Sequence, residues 1–279
     1  MCFLVSFVQL RLAVAHAPVE ERIEALTKMI EKDQKNADLF LKRGGLYSYH
    51  GEWTPAVADF ERAAELNPDL AAVDMYLGRM FLASGRPVQA EEALKRFILR
   101  VPNHAEARVT LATALVQLGR RREAVEEYTR AIKLCPSPAP RLYLERAKTL
   151  IDEGDGYVDE ALRGLDEGIQ KLGPAITLQL YAIDLELKKN QFDAALVRLE
   201  HITAKASRKE TWLARKGDIL EKAGRADQAL VAFASALAAI QKLPANRQNT
   251  QAMTQLKARV IESQNRLMVT LKSNKEDKK

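Results

Sequence analysis

The side chains best suited to chemistry are few in this chain, and they stand apart from one another. Its histidines and cysteines are His16, His50, His104, His201, Cys2 and Cys135. None of the histidines shares a helical turn with another histidine or with a cysteine, whereas zinc sites need such ligands at short, fixed spacings. A glycine-rich phosphate loop, a Gly-x-Ser-x-Gly elbow and a His-Glu-x-x-His motif are all absent from the sequence. We therefore expect no catalytic centre, no metal and no cofactor.

Paired carboxylates are the remaining candidates for general acid and base catalysis. Their positions in the sequence are explained by a structural role. Asp152/Glu153 and Asp159/Glu160 lie at expected helix ends and turns. Carboxylates in such places cap backbone amides and interact favourably with the helix dipole. The sequence therefore predicts a protein that is not an enzyme.

The charge pattern is that of a solvated helical surface. Lys and Arg number 43 against 37 Asp and Glu, which gives a net charge of +6. Outside the basic tail at 272–279, residues of both signs alternate, as in Glu123, Glu126 and Arg130. Nucleic-acid binders concentrate basic residues in one stripe with aromatic residues between them. We therefore expect a protein partner and no nucleic acid.

Residues 1–17 have several features of a secretory leader. Met1–Leu10 is largely apolar, and Ala13, Ala15 and Ala17 place small residues at the spacing that signal peptidases prefer. No basic residue precedes the apolar run, however, and Arg11 interrupts it. Two alternatives stay open: export to the periplasm or outside, or a cytoplasmic protein whose first segment is an apolar helix or follows a wrongly chosen start codon. No later segment is apolar over the roughly 20 residues that a membrane helix requires.

Small and apolar residues recur along the chain with a fixed period. Five positions repeat every 34 residues over three consecutive units: Gly44/Gly78/Ala112, Gly51/Gly85/Gly119, Ala56/Ala90/Ala124, Phe60/Leu94/Tyr128 and Pro68/Pro102/Pro136. The small residues allow two helices to cross closely, the glycine suits the end of a helix, and the proline stops the second helix. A period of this length indicates stacked copies of one helix pair.

The pattern continues more loosely, with Ala147, Ala182 and Gly217 spaced by 35 residues. The predicted units are 37–70, 71–104, 105–138, 139–174, 175–209 and 210–244. A helical array exposes an apolar face at each end unless a further helix covers it. We expect such capping helices, or a partial repeat, at 18–36 and at 245–271, followed by a disordered basic tail at 272–279.

The first unit resembles the tetratricopeptide repeat, whose pattern is W-x2-L-G-x2-Y followed by A-x3-F and P. It offers Phe40-x2-Arg43-Gly44-x2-Tyr47, then Ala56-x3-Phe60 and Pro68, with Phe40 and Arg43 departing from the pattern. The resemblance implies an all-α, right-handed superhelical solenoid of antiparallel helix pairs. It also implies that the first helix of each unit lines a concave groove in which partners bind.

Two rows of residues are expected to face that groove. Three residues before the small position lie Leu41, Met75, Val109 and Leu144, and one residue after it lie Arg79, Thr113 and Lys148, with Arg141 nearby. Apolar anchors beside basic residues suit a partner segment that carries a carboxylate. Leu41, Gly45 and Thr113 do not match the lysine and asparagines of the family's clamp for chaperone tails.

The sequence thus predicts a non-catalytic interaction scaffold that binds a peptide or helix of a protein partner in the groove. The alternative is an architectural accessory subunit of a larger assembly, such as one of the cell envelope, without peptide binding in the groove.

Overall fold

The computed structural model of the protein describes residues 18–276, so the predicted leader at 1–17 lies outside the described residues. In this part the chain forms fifteen α-helices and one 3-10 turn, with no β-strand. The first seven are α1 (Val19–Lys32), α2 (Ala37–Tyr49), α3 (Trp53–Leu66), α4 (Ala72–Ala83), α5 (Pro87–Arg100), α6 (Ala105–Gln117) and α7 (Arg121–Leu134). The others are α8 (Pro140–Glu153), α9 (Val158–Leu172), α10 (Ile176–Lys188), α11 (Phe192–Lys205), α12 (Glu210–Lys222), α13 (Ala226–Gln241), α14 (Ala245–Gln248) and α15 (Gln251–Glu276). The predicted all-α array of helix pairs is confirmed.

The helices belong to two compact units. The first comprises the residues up to 138 together with 148–153, and the second comprises 139–147 together with the residues from 154 onwards. Each of the six predicted repeats contains one pair of helices, from α2 with α3 to α12 with α13.

Within a pair, a small residue of the first helix faces a large residue of the second. A Cβ atom added to Gly44 would lie 2.8 Å from Phe60 Cε1, and one added to Gly78 would lie 2.5 Å from Leu94 Cγ. Phe60 and Leu94 are fully buried, so neither can move aside cheaply. The glycines are therefore required by the close crossing of the two helices.

Five of the six turns between paired helices share one geometry, whereas in the fourth repeat Gly154 has φ of 144° and the 3-10 turn Asp155–Tyr157 follows it. After the first helix, one residue takes a positive φ, and the next donates its N–H to the carbonyl five positions earlier. Arg86 N, for example, bonds to Phe81 O at 2.8 Å. Four of these turns use the glycines Gly51, Gly85, Gly119 and Gly224, with φ of 72° to 79°. The fifth repeat has no turn glycine, and Asn190 takes its place with φ of 56°, because asparagine tolerates this conformation better than most residues.

In the first unit, α1 covers the start of the array. Ile30 is buried, and Leu26 packs beside it against the core that contains Phe40 and Phe60. Met29 is 51% exposed, so it is not part of the covering face. The helix therefore caps the first pair through Ile30 and Leu26.

In the second unit, α15 covers the last helix pair. Val260 is fully buried and Leu267 is nearly so, in one core with Phe233. The closing segment differs from the prediction at both ends. The short helix α14 precedes it, and α15 continues to Glu276, past the predicted end at Leu271.

Ion pairs supplement the apolar contacts. Arg43, at the place where the repeat pattern has leucine, donates to both carboxylate oxygens of Asp59 at 2.7 and 2.8 Å. Because Asp59 is buried, this bidentate bond offsets the cost of removing its charge from water. The hydrogen bonds with Asp59 raise the pKa of Arg43.

Glu91 on α5 forms a second network with basic residues. Arg120 Nη1 donates to its Oε1 at 2.7 Å, and Lys95 Nζ lies 2.6 Å from the same atom. Burial by itself would raise the pKa of Glu91, but the hydrogen bonds from Lys95 and Arg120 outweigh it and hold this pKa below its usual value. The carboxylate therefore ties α5 to the turn that precedes α7.

We expect Gly217→Ala to lower the free energy of unfolding of the second unit by about 1–3 kcal/mol. The added Cβ would lie 2.8 Å from Cζ of Phe233 and closer still to other atoms of this fully buried ring. The control is Gly156→Ala, where no atom lies within 4 Å of the added Cβ. Urea denaturation of both variants checks the prediction, and equal midpoints would contradict it.

We expect Glu91→Gln to be destabilising by about 1–2 kcal/mol at neutral pH and progressively less so in acid. A carboxyl whose pKa is lowered on folding stabilises the protein fully above its unfolded value, here 4.5. That contribution is lost as the pH falls through the folded pKa. Urea denaturation at several pH values between 7 and 3 measures it. A difference between wild type and variant that does not shrink below pH 4.5 would refute the assignment.

Candidate functional site

The first helices of the first unit, α2, α4 and α6, lie side by side in chain order. A Cβ added to Gly45 on α2 would lie 3.0 Å from Tyr76 Cε1 on α4. Arg79 on α4 forms an ion pair with Glu106 on α6. These contacts create a surface, which we call the first-helix face, defined by Arg79, Glu106, Val109 and Thr113.

Two residues predicted to form the groove floor belong to the core instead. Leu41 is 7% exposed and Met75 is 5% exposed. Each lies in one of the two apolar clusters of the first unit, so a partner cannot reach either side chain. The reason is the close approach of neighbouring helices at these two places, which buries the residue three positions before Gly44 and the residue three positions before Gly78.

Three predicted residues do reach the surface in the first unit. The side chain of Arg79 is 43% exposed, and Val109 and Thr113 are half-buried. Val109 and Thr113 follow Glu106 at three and seven positions along α6, so all three lie on one side of this helix. The Thr113 hydroxyl donates to the Val109 carbonyl oxygen at 3.0 Å, and its lone pairs stay able to accept. The surface thus combines a guanidinium, a carboxylate, an apolar side chain and a hydroxyl.

The other three predicted residues lie on α8. Arg141 and Lys148 are exposed, and Leu144 is half-buried. Arg141 and Leu144 belong to the second unit, whereas Lys148 belongs to the first. The first-helix face is therefore described from residues of α4 and α6 alone.

The electrostatics of the face are set by an exposed ion pair. Both partners are accessible to water, Arg79 at 43% and Glu106 at 64% of the side chain. Exposed pairs of this kind contribute only about 0–1 kcal/mol. Arg79 can therefore exchange Glu106 for another carboxylate at little cost.

Glu106 was not among the predicted site residues. It is the second residue of α6, where a carboxylate is favoured by the helix dipole, and the sequence offers no other reason to select it. Its role depends on the neighbouring helix, which brings Arg79 within reach.

The three histidines among residues 18–276, and Cys135, have structural surroundings, whereas His16 and Cys2 lie outside the described residues. Nδ1 of His104 accepts a hydrogen bond from Ala107 N at 3.1 Å and so caps α6. His50 lies 3.7 Å from Glu20, and His201 lines a cavity of the second unit described below. Cys135 is half-buried. Among residues 18–276, no three His, Cys, Asp or Glu side chains come together as metal ligands.

No helix in the described part of the chain is both long enough and apolar enough to cross a membrane.

Comparison with known proteins agrees with this architecture. Two family models, each described as tetratricopeptide repeat, match residues 41–107 and 81–143. No curated protein matches the chain.

Several solved structures have the same fold. The C-terminal part of a repeat-containing protein from Cytophaga hutchinsonii gives a TM-score of 0.64 at 14% identity, covering 81% of this chain and 92% of that one. A tetratricopeptide-repeat protein from Parabacteroides merdae gives 0.51 at 15% identity, covering 87% and 92%. YrrB, described as a protein with an unusual peptide-binding site, gives 0.52 at 22% identity, covering 64% and 90%.

The spacing of the small residues, the helix pairs and the matched models all lead to one assignment. Residues 41–143 therefore contain tetratricopeptide repeats, and the helix pairs of the described chain share the fold of such proteins.

Proposed function

We propose that the chain is a non-catalytic interaction scaffold whose first-helix face binds a segment of a protein partner. One observation carries the proposal: Arg79, a basic residue on this face, is held by an exposed ion pair to Glu106, one helical turn before the half-buried Val109 on the adjacent helix. YrrB, an array of the same fold, has a peptide-binding site.

The chemistry of the face defines the partner segment. A carboxylate of the partner pairs with Arg79 in place of Glu106, and because the displaced pair is exposed, the exchange costs little. An apolar side chain next to that carboxylate packs on Val109, which is half-buried. Guanidinium groups bind carboxylates through two parallel hydrogen bonds, which fixes the direction of the segment. The partner is thus a peptide or helix with an acidic residue beside an apolar one.

We expect Arg79→Glu to weaken binding of acidic peptides at least about tenfold, since it replaces an attractive contact by a repulsive one. Peptides are first selected on the full chain from a random display library, and their affinities for wild type and variants are then measured. Arg62→Glu is a matched control. Arg62 lies on the second helix α3, is 47% exposed and pairs with Glu65, which is 65% exposed.

Two results would contradict the proposal. If Arg79→Glu binds the selected peptides as tightly as wild type, the first-helix face is not the site. If both charge reversals weaken binding equally, the effect is one of net charge. Circular dichroism of both variants establishes that the helices are intact. The accessory-subunit alternative predicts that selection on the full chain returns no peptide sensitive to Arg79.

A further inference from the structure

The second unit contains a cavity of about 440 Å³, separate from the first-helix face. Pockets for small ligands and side chains typically range from about 300 to 1,000 Å³. The residues that shape it are Ile169, Ile176, Gln179, His201, Lys205 and Trp212.

Four helix ends build this cavity. Ile169 lies in the last turn of α9 and His201 and Lys205 near the end of α11, whereas Ile176 and Gln179 open α10 and Trp212 opens α12. Gly173, with φ of 78°, ends α9 and lets the chain turn directly into α10. The space therefore lies where second helices end and first helices begin.

The floor of the cavity holds a polar group without a partner. Gln179 is 8% exposed, and its Oε1 atom is buried without a hydrogen-bond partner in the described structure. An unsatisfied buried polar atom costs about 1–3 kcal/mol. Glu186 and Arg215 also have a buried polar atom without a partner. In each of them another atom of the same side chain is hydrogen-bonded, to Arg198 in the case of Glu186 and to Asp184 in the case of Arg215.

The walls are apolar and partly open. Ile176 is 50% exposed, and Trp212 is half-buried at the edge of the core of the second unit. The cavity thus offers a branched apolar side chain and an indole ring around one amide. The last torsion of a glutamine is soft, so the Gln179 amide can present either its oxygen or its nitrogen to the cavity.

We propose that this cavity binds an apolar residue of an extended peptide, with the side chain between Ile176 and Trp212 and a peptide group paired with the Gln179 amide. A peptide group carries one donor and one acceptor, so it satisfies the amide in either orientation. A purely apolar ligand leaves the buried Gln179 Oε1 atom unpaired. The site lies on the second unit and is therefore independent of Arg79.

The test uses the full chain with Trp53→Phe, which leaves Trp212 as the only tryptophan. Its emission is followed while N-acetyl-leucinamide is added, a probe with one branched apolar side chain between two amides. We expect a saturable change. N-acetylglycinamide, which lacks the side chain, and 3-methylbutan-1-ol, which lacks the amides, are expected to bind at least about tenfold more weakly.

A second variant separates recognition from structure. We expect Gln179→Leu to weaken binding of N-acetyl-leucinamide about tenfold while leaving the thermal midpoint unchanged or raised, because it removes an unpaired buried amide. The matched control Gln170→Leu, at an exposed position of α9, is expected to leave affinity unchanged.

Three outcomes would overturn the proposal. The first is a Trp212 emission that does not respond to N-acetyl-leucinamide. The second is 3-methylbutan-1-ol binding as tightly as the amide probe, which would make the cavity merely apolar. The third is a Gln179→Leu variant that loses thermal stability, which would make the amide structural. None of these results bears on the first-helix face, which the Arg79 variants test.

Discussion

The contact between a small residue on one helix and a large one on the next determines most of this structure. At Gly44 against Phe60 and at Gly217 against Phe233, the backbone of the first helix lies directly on an aromatic ring that is fully buried. A methyl group added to the glycine would overlap the ring. Because packed interiors leave no room for such an addition, the pairs can cross at only one distance.

Charged residues are added to this apolar framework where the repeat pattern is not followed. Arg43 occupies a position that the pattern gives to leucine, and Asp59 on the paired helix is buried against it. Glu91, Lys95 and Arg120 form a further network, which joins α5 to the turn before α7. Removing one member of a buried pair leaves an uncompensated charge, so these residues depend on one another. The array thus tolerates a polar substitution only where the neighbouring helix offers a partner.

The surfaces that suit a partner arise from the same packing. Neighbouring first helices approach so closely that Leu41 and Met75 are enclosed, which leaves Arg79, Val109 and Thr113 to present the chemistry of the face. In the second unit, four helix ends leave a space above Gln179. Rigid helices hold these groups in place before any partner arrives, and such preorganisation lowers the entropic cost of binding.

The sequence by itself determined the elements and their order. The 34-residue period, the turn glycines and the terminal apolar helices are local patterns, since the backbone preference of glycine or proline acts within a few residues. In the turn without glycine, Asn190 takes the left-handed conformation, which asparagine adopts more readily than most residues. The covering role of α15 followed from the apolar spacing that buries Val260 and Leu267.

Only the tertiary structure decided which side chains a partner can reach. Leu41 and Val109 hold equivalent positions in their repeats, yet Leu41 is enclosed and Val109 is half-buried. The pairing of Arg79 with Glu106 and the unpaired amide of Gln179 depend on residues from different helices. The exposure of a side chain depends on residues that are distant in the chain but close in the fold. A periodic sequence pattern predicts the same surroundings for equivalent residues of every repeat. The structure shows where the neighbours differ.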